Sequence, residues 1–415
     1  MIALADCNNF YASCERVFNP KLNDVPVIVL SNNDGCIIAR SNEAKMIGIG
    51  MGVPFFKVKD IIDQHNVQVF STNFSLYGDL SRRVMKTIST EVNIMEEYSI
   101  DEAFLDFSDF YDIERAMHLK KKVFKWTGIP ISIGIAKNKV LAKIANDVAK
   151  KQVDSGVFLL EGKSNVDRIL SHFPIGDVWG IGRRYTSFLF KFGIRTALDF
   201  KNTNDYWVKR NLSIHAYRVQ QELKGDICYP LDTNIHRKKS IRKSGTFADT
   251  VNDIPSLERI ISSYAHTCAV KLRKSNLCCN RISVFLSNNM FSCEKKVSLF
   301  RTFYLDVPTN DSIEIIRFSI KGLHQIYSPN IKYKKAGIIV SNCISDEIIQ
   351  LSCFDSVNRL RNNKVNYVLD YINHKVKPNL VRFAIQGDNN QFSSEKIKKS
   401  PNYTTNLKEI LKVRI

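Results

Sequence analysis

The stretch YSIDEAFLD (98–106) constrains this chain more than any other feature, because it places adjacent carboxylates inside an apolar and aromatic run. Burying bare carboxylates is costly unless a cation or hydrogen-bond donors neutralise them. In a regular strand, Asp101 and Glu102 would point to opposite faces of the sheet. A turn at the Ser-Ile-Asp-Glu step, between two short strands, would aim both carboxylates at one ion.

A third carboxylate, Asp6, has a similar setting, since it follows the apolar run IALA (2–5) and precedes CNNFY (7–11). Two strand ends that each offer carboxylates form a hard, all-oxygen site. Such a site suits Mg²⁺, which keeps several waters and takes phosphate oxygens as its other ligands. An acidic pair at a strand end is more often a solvated turn, so these residues alone leave that interpretation open.

The charge balance favours a polyanionic partner. Lysines and arginines number 60 against 41 aspartates and glutamates, which gives a net charge of +19 and a pI near 9.4. Such an excess is typical of nucleic-acid-binding proteins, although a merely basic soluble enzyme is the alternative. The N-terminus lacks the layout of a signal peptide, and no apolar run is long enough to span a bilayer. We therefore expect no membrane role.

Length and cysteine usage bound the architecture and the compartment. A chain of 415 residues exceeds one ordinary core and predicts several domains, and a hydrophobic content of 44% predicts a folded protein. The 10 cysteines are scattered, and no C-x-x-C pair occurs. Neither a zinc site nor a disulfide framework is indicated, so a reducing cytoplasmic location is expected.

Hydrophobic periodicity predicts alternating strands and helices over much of the chain. Strands are predicted at 27–30, 131–135, 281–286 and 336–340, and helices at 41–47, 76–95, 139–150 and 257–272. Short helices broken by Gly and Pro are expected from about residue 165 onwards. The region beyond about residue 345 is polar and basic with patchy periodicity, so part of it is expected to be disordered on its own.

Two segments carry weak signals for phosphate binding. In GIGRR (180–184), glycines would let a backbone turn approach a phosphate, and the arginines would add charge-assisted bonds. An ordinary helix–helix turn is the alternative for this segment. The second segment is the basic stretch 235–243, for which a solvated linker is the alternative.

Six segments together resemble the Y-family translesion DNA polymerases, and the last of them is similar to the UmuC branch, the catalytic subunits of bacterial DNA polymerase V. They are DCNNFYASCE (6–15), VIVLSNNDGCIIAR (27–40), YSIDEAFLD (98–106), SIGIAKNKVLAKIANDVAK (132–150), VWGIGRR (178–184) and SPNYTT (400–405). They occur in order over essentially the full length, so the match is far more specific than any single motif.

The resemblance implies an α+β multidomain fold of the right-hand type, with palm, fingers, helical thumb and α/β little finger. The implied palm is 1–165 with the fingers inserted at about 20–75, and the thumb at 166–234 carries a helix-hairpin-helix. A basic tether and the little finger follow at 235–345, and a C-terminal tail with a clamp-binding peptide occupies 346–415.

The resemblance also implies two-metal nucleotidyl transfer. Asp6, Asp101 and Glu102 would be the catalytic carboxylates and would hold two Mg²⁺ ions. The backbone at Cys7 would complete the metal ligands. Asp106, although it lies in the same run, is interpreted as structural.

Further residues match nucleotide contacts of the family. Tyr11 matches the steric gate, an aromatic ring that leaves no room for a 2′-hydroxyl, and Phe10 is the alternative if the local turn differs. The residues assigned to nucleotide binding are Phe10, Arg40, Lys45 and Lys150. Asn42 stands where many relatives have a tyrosine, so that contact is not carried over.

The remaining assignments concern DNA and protein partners. Those for DNA are Gly180, Gly182, Arg183, Arg184, Lys238 and Lys239, and those for the sliding clamp are Gln350, Leu351 and Phe354. Cys353 is smaller than the aliphatic residue that usually precedes the aromatic plug. The implied partners are damaged primer–template DNA, deoxynucleoside triphosphates, a processed UmuD dimer, RecA and the sliding clamp.

The function implied is error-prone, template-directed DNA synthesis past lesions in the SOS response, without proofreading. A stand-alone lesion-bypass polymerase of the DinB type is one alternative. A nucleotidyl cyclase, which uses paired carboxylates on a palm-like sheet, is an alternative from another class. A catalytically inactive DNA-binding scaffold is a third, and intact Asp6, Asp101 and Glu102 argue against it.

Overall fold

The chain divides into two compact units. The computed structural model describes residues 1–108, 113–234, 237–289, 295–347, 349–350, 352–355, 357–377, 379–387 and 398–411. One unit comprises Met1–Asn234 together with Lys396–Ile415, and the other comprises Ile235–Glu395. Among the helices so described, none has the length and apolar character needed to cross a membrane.

The first unit contains a larger mixed sheet and a smaller one. The strands of this unit are β1 (Ile2–Cys7), β2 (Val27–Leu30), β3 (Ile37–Arg40), β4 (Gln68–Ser71), β5 (Met95–Glu97), β6 (Glu102–Asp106), β7 (Ile131–Ala136) and β8 (Val157–Leu159). Within the described residues they form two sheets, with the orders β5-β6-β1-β7-β8 and β3-β2-β4. The predicted strands at 27–30 and 131–135 are confirmed.

The described helices of the first unit are α1 (Phe10–Phe18), α2 (Asn42–Met46), α3 (Lys59–Gln64), α4 (Phe74–Ser89), α5 (Ile113–Thr127), α6 (Lys139–Lys151), α7 (Lys163–His172), α8 (Arg183–Lys191), α9 (Ala197–Asn202), α10 (Asp205–Asn211) and α11 (Ile214–Lys224). Helices cover both faces of the larger sheet, with α4 and α5 on one face and α6 on the other. Strand β1 is apolar on both faces for this reason, with Ala3 and Ala5 in one core and Ile2 and Leu4 in the other.

Helix α6 lies against the sheet because Gly134 of β7 leaves room for its backbone. A Cβ at that position would meet Asn146 N at 2.1 Å and Ala142 O at 2.6 Å. The Asn146 amide also donates to the backbone oxygens of Leu4 and Ser132, at 3.1 and 2.8 Å. The predicted helix at 139–150 is confirmed, and its close contact fixes which residues it presents to the end of β1.

The helix predicted at 76–95 is too long at its C-terminal end. Helix α4 begins at Phe74, where the Asn73 side chain accepts from the backbone N–H of Leu76, and it ends at Ser89. Met95 instead pairs with Leu105 as part of β5. The error arose because Met95 follows Ile88 at a spacing that keeps helical phase across an intervening turn.

The second unit is a sheet covered by helices. Its strands are β9 (Ser240–Val251), β10 (Leu277–Ser287), β11 (Ser298–Thr309) and β12 (Tyr333–Ser345), and its helices are α12 (Ile254–Lys274), α13 (Ser312–Ile326) and α14 (Arg359–Lys375). The strand order among the described residues is β11-β10-β12-β9, all antiparallel. The strands predicted at 281–286 and 336–340 and the helix at 257–272 are confirmed, although each element is longer than predicted.

Two elements of the second unit were not predicted. The basic stretch 235–243 is not wholly a tether, since β9 begins at Ser240 and Arg242 and Lys243 pair with Ile339 and Ile338 of β12. The region after residue 345 contains the 17-residue helix α14. The hydrophobic periodicity of that helix is weak, and its contacts include the ion pair Arg273–Asp370 at 2.7 Å.

Short 3-10 turns complete the fold. They lie at Pro20–Leu22, Phe55–Val58, Ile175–Asp177, Ala384–Gln386 and Leu407–Glu409. The C-terminal segment 398–411 contacts the first unit, where the Ser71 N–H donates to the Lys398 carbonyl at 2.9 Å. The region predicted as a tail, 346–415, therefore contributes described residues to both units.

Candidate active site

The predicted acidic cluster forms at one end of the larger sheet. Asp6 of β1 pairs in register with Glu102 of β6. Residues 2, 4 and 6 share a face of β1, and Leu4 packs against α6, so the register and the side-chain alternation direct Asp6 toward that helix. Phe104 of β6 packs in the same core as Leu4, so the even-numbered side chains of β6 also lie on the α6 face of the sheet. Asp6 and Glu102 therefore face α6 together.

The turn predicted between two short strands is present and is held by Ser99. The Ser99 hydroxyl accepts from the backbone N–H of Asp101 and Glu102, at 3.3 and 3.1 Å. It also donates to the Asp101 carboxylate at 2.6 Å. The Asp101 carbonyl accepts from Cys7 N–H at 2.9 Å, so the turn is fastened to the end of β1.

Two lysines of α6 face the carboxylates. Lys150 Nζ lies 2.6 Å from Asp6 Oδ2, and Lys143 Nζ lies 3.0 Å from Glu102 Oε1. Seven residues separate these lysines, which corresponds to two helical turns and the same face. Lys150 was predicted from the sequence and Lys143 was not, although their spacing on a predicted helix was a usable signal.

Burial dominates the titration of Asp6. It raises the pKa of this carboxyl from 3.8 to about 7, the Lys150 charge and hydrogen bond act to lower it, and the neighbouring Glu102 carboxylate raises it further. Two carboxylates that disfavour each other's charge, one of them largely buried, form a site that gains from additional positive charge.

The donor set fits a hard divalent cation in its chemistry. Asp6, Asp101 and Glu102 offer carboxylate oxygens at adjoining strand ends, and Mg²⁺ prefers oxygen ligands. Across the described residues, no three acidic, histidine or cysteine side chains converge as they stand in a metal-binding arrangement. The carboxylates are instead engaged by Lys150, Ser99 and Lys143.

Tyr11 is a half-buried ring at this site. The turn between β1 and α1 contains Asn9 in the left-handed region, with φ +48. Tyr11 then stacks on Tyr77, with ring centroids 4.5 Å apart and an interplanar angle of 17°. The Phe74 ring meets Tyr11 edge-on, with its centroid 6.1 Å away. Burial and the Asp101 charge raise the pKa of the Tyr11 hydroxyl, which places it within the field of the cluster. Phe10 is only 3% exposed and packs in the core, and its assignment to nucleotide binding stays a prediction.

Cations gather beside the acidic end. Burial lowers the pKa of Lys45, and the charges of Arg40 and Lys150 lower it further, as like charges do at short range. Lys45 donates to Asn42 Oδ1 at 3.1 Å, and Asn9 donates to the same oxygen at 3.0 Å. The three predicted triphosphate-binding cations are thus brought together. The structure adds Lys151, whose charge also acts on Lys45.

Arg40 is anchored by its guanidinium rather than extended into solvent. It donates to the Ile49 carbonyl. Its buried Nε has no hydrogen-bond partner among the residues that the structure describes. An unpaired buried donor of this kind costs free energy unless a hydrogen-bond partner satisfies it.

An aromatic cluster supports the Glu102 side of the site. Trp179 Nε1 donates to the Tyr98 hydroxyl at 2.9 Å, and Lys143 Nζ lies 4.5 Å from the centre of the Tyr98 ring. A cavity of about 270 Å³ lies here, lined among others by Asp6, Glu102, Lys143 and Trp179. These rings hold Lys143 in place, so that its charge stays on Glu102.

The predicted phosphate-binding turn has the expected backbone form. Gly180 has φ +90, and a Cβ there would meet Val219 Cγ2 at 2.8 Å, so both conformation and space favour glycine. Gly182 precedes the first residue of α8, and Arg183 and Arg184 at its start are exposed. Lys238 and Lys239, in the second unit, are also exposed. The geometry leaves their assignment to DNA as a prediction.

The predicted clamp peptide presents its aromatic residue to solvent. Phe354 is 96% exposed, and Gln350 is exposed. Leu351 lies outside the described residues. An unpacked phenylalanine of this kind contributes little to the fold, and its assignment to the clamp stays a prediction.

Comparison with known proteins identifies relatives over the whole chain. The impB/mucB/samB family matches residues 5–147, its C-terminal domain matches 238–353, and a domain of unknown function matches 363–413. Protein UmuC of Salmonella typhimurium is 39% identical over 100% of both chains, and protein MucB of Escherichia coli is 35% identical over 99% of both. DNA polymerase IV 1 of Bacillus subtilis is 28% identical over 68% of both.

Solved structures confirm the predicted α+β polymerase fold. The Y-family DNA polymerase chimera Dbh-Dpo4(243-245)-Dbh superposes with a TM-score of 0.66 at 21% identity, covering 83% of this chain and 100% of that one. The insertion ternary complex of Dbh DNA polymerase superposes with a TM-score of 0.55 at 20% identity and the same coverage. At these identities the likeness concerns the fold.

Proposed function

Because this chain belongs to the impB/mucB/samB family, the UmuC type of Y-family DNA polymerase, we propose that its acidic cluster catalyses error-prone, template-directed DNA synthesis past lesions. It is a DNA-directed DNA polymerase, and its reaction is nucleotidyl transfer to a primer 3′-hydroxyl. The observation that carries this proposal is the in-register pairing of Asp6 with Glu102 on the α6 face, beside the cations Lys45 and Lys150.

The proposed ligands of two Mg²⁺ ions are Asp6, Asp101, Glu102 and the backbone at Cys7. When bound, the ions would lower the pKa of the attacking hydroxyl and offset charge on the departing pyrophosphate. Residues of the chain supply the rest. Lys143 and the Ser99 turn orient Glu102 and Asp101, which fixes the positions of the carboxylates before substrate arrives.

The incoming nucleotide is proposed to lie between the cations and Tyr11. Arg40, Lys45 and Lys150 carry the charge that a triphosphate requires, and an anion would satisfy the orphaned Nε of Arg40. Lys150 can exchange Asp6 for phosphate oxygen because its side chain remains 31% exposed. Tyr11, stacked on Tyr77, would lie against the sugar and exclude a 2′-hydroxyl.

The domain assignment and DNA contacts are also proposals. The fold supports a palm at 1–165 with fingers at about 20–75, a thumb at 166–234, a little finger within 235–345 and a C-terminal region at 346–415. DNA phosphates are proposed to contact Gly180, Gly182, Arg183, Arg184, Lys238 and Lys239. The backbone form of Gly180 and the exposure of the four cations support this assignment.

Protein partners follow from family membership. We propose a processed UmuD dimer as the partner of the active enzyme, RecA filaments as its activator in the SOS response, and the sliding clamp as the ligand of Gln350 to Phe354. The exposed Phe354 supports the last of these. An enzyme that acts on the bacterial chromosome works where the chromosome lies, so the proposed location is the cytoplasm.

The stand-alone DinB type is less well supported. The chain resembles the UmuC and MucB proteins more closely than the polymerase IV proteins, and it carries the additional domain at 363–413. A nucleotidyl cyclase would have no use for the turn at Gly180 or the exposed peptide at Phe354.

Primer extension with Asp101→Asn tests the proposed function. This variant removes one carboxylate charge but keeps the side-chain volume, so templated addition should be lost while the fold and duplex binding persist. Asp106→Asn is the matched control, since Asp106 lies at the far end of β6, the strand that follows Asp101, and its carboxylate accepts from the Ser108 N–H instead. Primer extension by Asp101→Asn at the rate of Asp106→Asn would refute the role of Asp101 as a metal ligand. Extension by the wild type in the absence of a template would refute template-directed synthesis.

A further inference from the structure

The C-terminal segment 398–405 packs onto the ring system that underlies Tyr11. The Ser71 N–H donates to the Lys398 carbonyl at 2.9 Å, and the Lys398 N–H donates to Ser71 Oγ at 3.1 Å. The buried Asn73 amide donates to the Ser400 and Pro401 carbonyls, at 3.0 and 3.1 Å. The segment therefore adds to the strand and helix that support the site, although it lies more than 300 residues away in sequence.

A buried carboxylate links this segment to Tyr77. Glu15 is 2% exposed, and its Oε1 accepts from the Tyr77 hydroxyl at 2.6 Å and from the Ser400 hydroxyl at 3.0 Å. Burying a carboxylate requires such donors, and the loss of one leaves the charge poorly satisfied. The orientation of Glu15, and with it the hydroxyl of Tyr77, therefore depends on Ser400.

Tyr77 in turn is the surface on which Tyr11 rests. Its ring is fully buried and stacks on Tyr11 at 4.5 Å, nearly parallel. Helix α4, which carries Tyr77, begins at the cap provided by Asn73, the same residue that binds Ser400 and Pro401. A second ring contact, between Tyr403 and Phe18 at 4.7 Å, holds the segment against α1, the helix that carries Tyr11 and Glu15.

We infer that Ser400 and Glu15 are positioning residues for Tyr11, so that the C-terminal segment helps to set the choice between ribose and deoxyribose. This inference rests on the proposed sugar-contacting role of Tyr11. A displaced Tyr77 lets the Tyr11 ring retreat, which opens space for a 2′-hydroxyl without touching the metal ligands. The expected effect is on sugar discrimination rather than on nucleotidyl transfer itself.

The test measures kcat/KM for matched ribo- and deoxyribonucleotides with the full-length enzyme. Ser400→Ala and Tyr77→Phe each remove one hydroxyl and should each reduce discrimination by about threefold or more, mainly through the KM of the ribonucleotide. Thr405→Ala is the matched control, because it removes an exposed hydroxyl from the same segment. Ser400→Thr restores a hydroxyl and should recover discrimination.

A double-mutant cycle separates positioning of Tyr11 from general loosening. In a Tyr11→Ala background, Ser400→Ala should cause no further loss, since the ring on which it acts is absent. An additive loss of discrimination in the Tyr11→Ala background would overturn the inference. The same holds if Ser400→Ala, Tyr77→Phe and Thr405→Ala all discriminate equally between the two sugars.

The outcomes also distinguish the inference from the proposal beneath it. If Tyr11→Ala itself leaves discrimination unchanged, the sugar-contacting role fails and the inference fails with it. If Tyr11→Ala reduces discrimination by about tenfold or more while Ser400→Ala behaves as the control, the role of Tyr11 stands and only the inference is wrong. Melting temperatures show whether each variant is folded under the assay conditions.

Discussion

The ammonium group of Lys150 lies 2.6 Å from the Asp6 carboxylate, yet burial still raises the pKa of that carboxyl to about 7. One lysine therefore does not fully compensate Asp6 for its loss of water, particularly with Glu102 alongside. Near neutral pH, a bound cation would therefore stabilise the ionised Asp6 and Glu102 carboxylates at this end of the sheet, as a metal-dependent polymerase site requires.

The stabilising effect of Mg²⁺ should grow with pH. Because the folded pKa of Asp6 is raised above 3.8, the stability that Asp6 contributes is complete below that value and is lost as pH rises through about 7. A cation bound to the ionised carboxylate opposes this loss, so MgCl₂ should raise the melting temperature more at about pH 8 than at about pH 6. Scanning fluorimetry of wild type and Asp6→Asn measures this. Equal shifts at both pH values, or an unchanged shift in Asp6→Asn, would contradict the metal assignment.

Lys143→Met should impair nucleotide addition without unfolding the protein. The substitution leaves Glu102 without its partner at 3.0 Å and removes the cation beside the Tyr98 ring. A misplaced carboxylate is expected to lower kcat/KM by about tenfold or more. Steady-state insertion kinetics measure the loss, with Lys121→Met on the exposed face of α5 as the control. Comparable rates in the two variants would mean that Glu102 is positioned without Lys143.

Gly134→Ala should be strongly destabilising. The added Cβ would lie 2.1 Å from Asn146 N, a backbone atom, so α6 must move away from the sheet, at a cost of about 1–3 kcal/mol or more. Gly78→Ala is the matched control, since nothing lies within 4 Å of its Cβ and alanine favours a helix by about 1 kcal/mol. Urea unfolding compares the two midpoints. Equal stabilities would show that α6 lies farther from β7 than described.

Duplex affinity should fall steeply with salt. A net charge of +19 and the exposed arginines at the start of α8 predict several phosphate contacts, each releasing a counterion. Arg183→Ala with Arg184→Ala should reduce the slope of log K against log salt by about one per lost contact. Lys125→Ala, on the exposed face of α5, should leave the slope unchanged. A slope that Arg183→Ala and Arg184→Ala do not alter would remove these residues from the interface.

Gln350→Ala with Phe354→Ala should weaken clamp binding and shorten synthesis on clamp-loaded DNA. Phe354 is 96% exposed, so its loss removes no core packing and melting temperature should stay constant. Single-nucleotide addition without the clamp should persist. Leu360→Ala, another exposed apolar side chain, serves as the control. Clamp stimulation that survives the double substitution would show that the peptide is not the clamp ligand.

Local patterns in the sequence were sufficient to predict much of the acidic end. The turn in YSIDE, the strand before Asp6 and the helix at 139–150 each follow from neighbouring residues, because alternation and helical spacing report which faces are buried. The same reasoning missed α14 and extended α4 to Met95. Polar contacts stabilise α14, and the spacing of Met95 happens to keep helical phase.

Tertiary structure alone decided which partners meet across long separations. Ser400 reaches Glu15 over 385 residues, and Lys143 reaches Glu102 over 41. Helical spacing indicates which face of α6 carries Lys143, but it does not identify the carboxylate that this lysine contacts. Likewise, the packing of α1 decided that Phe10 is buried while the neighbouring Tyr11 remains half-buried, since adjacent aromatics look alike in sequence. Secondary-structure propensities act over a few neighbouring residues. Tertiary packing instead selects contacts by shape and charge after distant segments have come together.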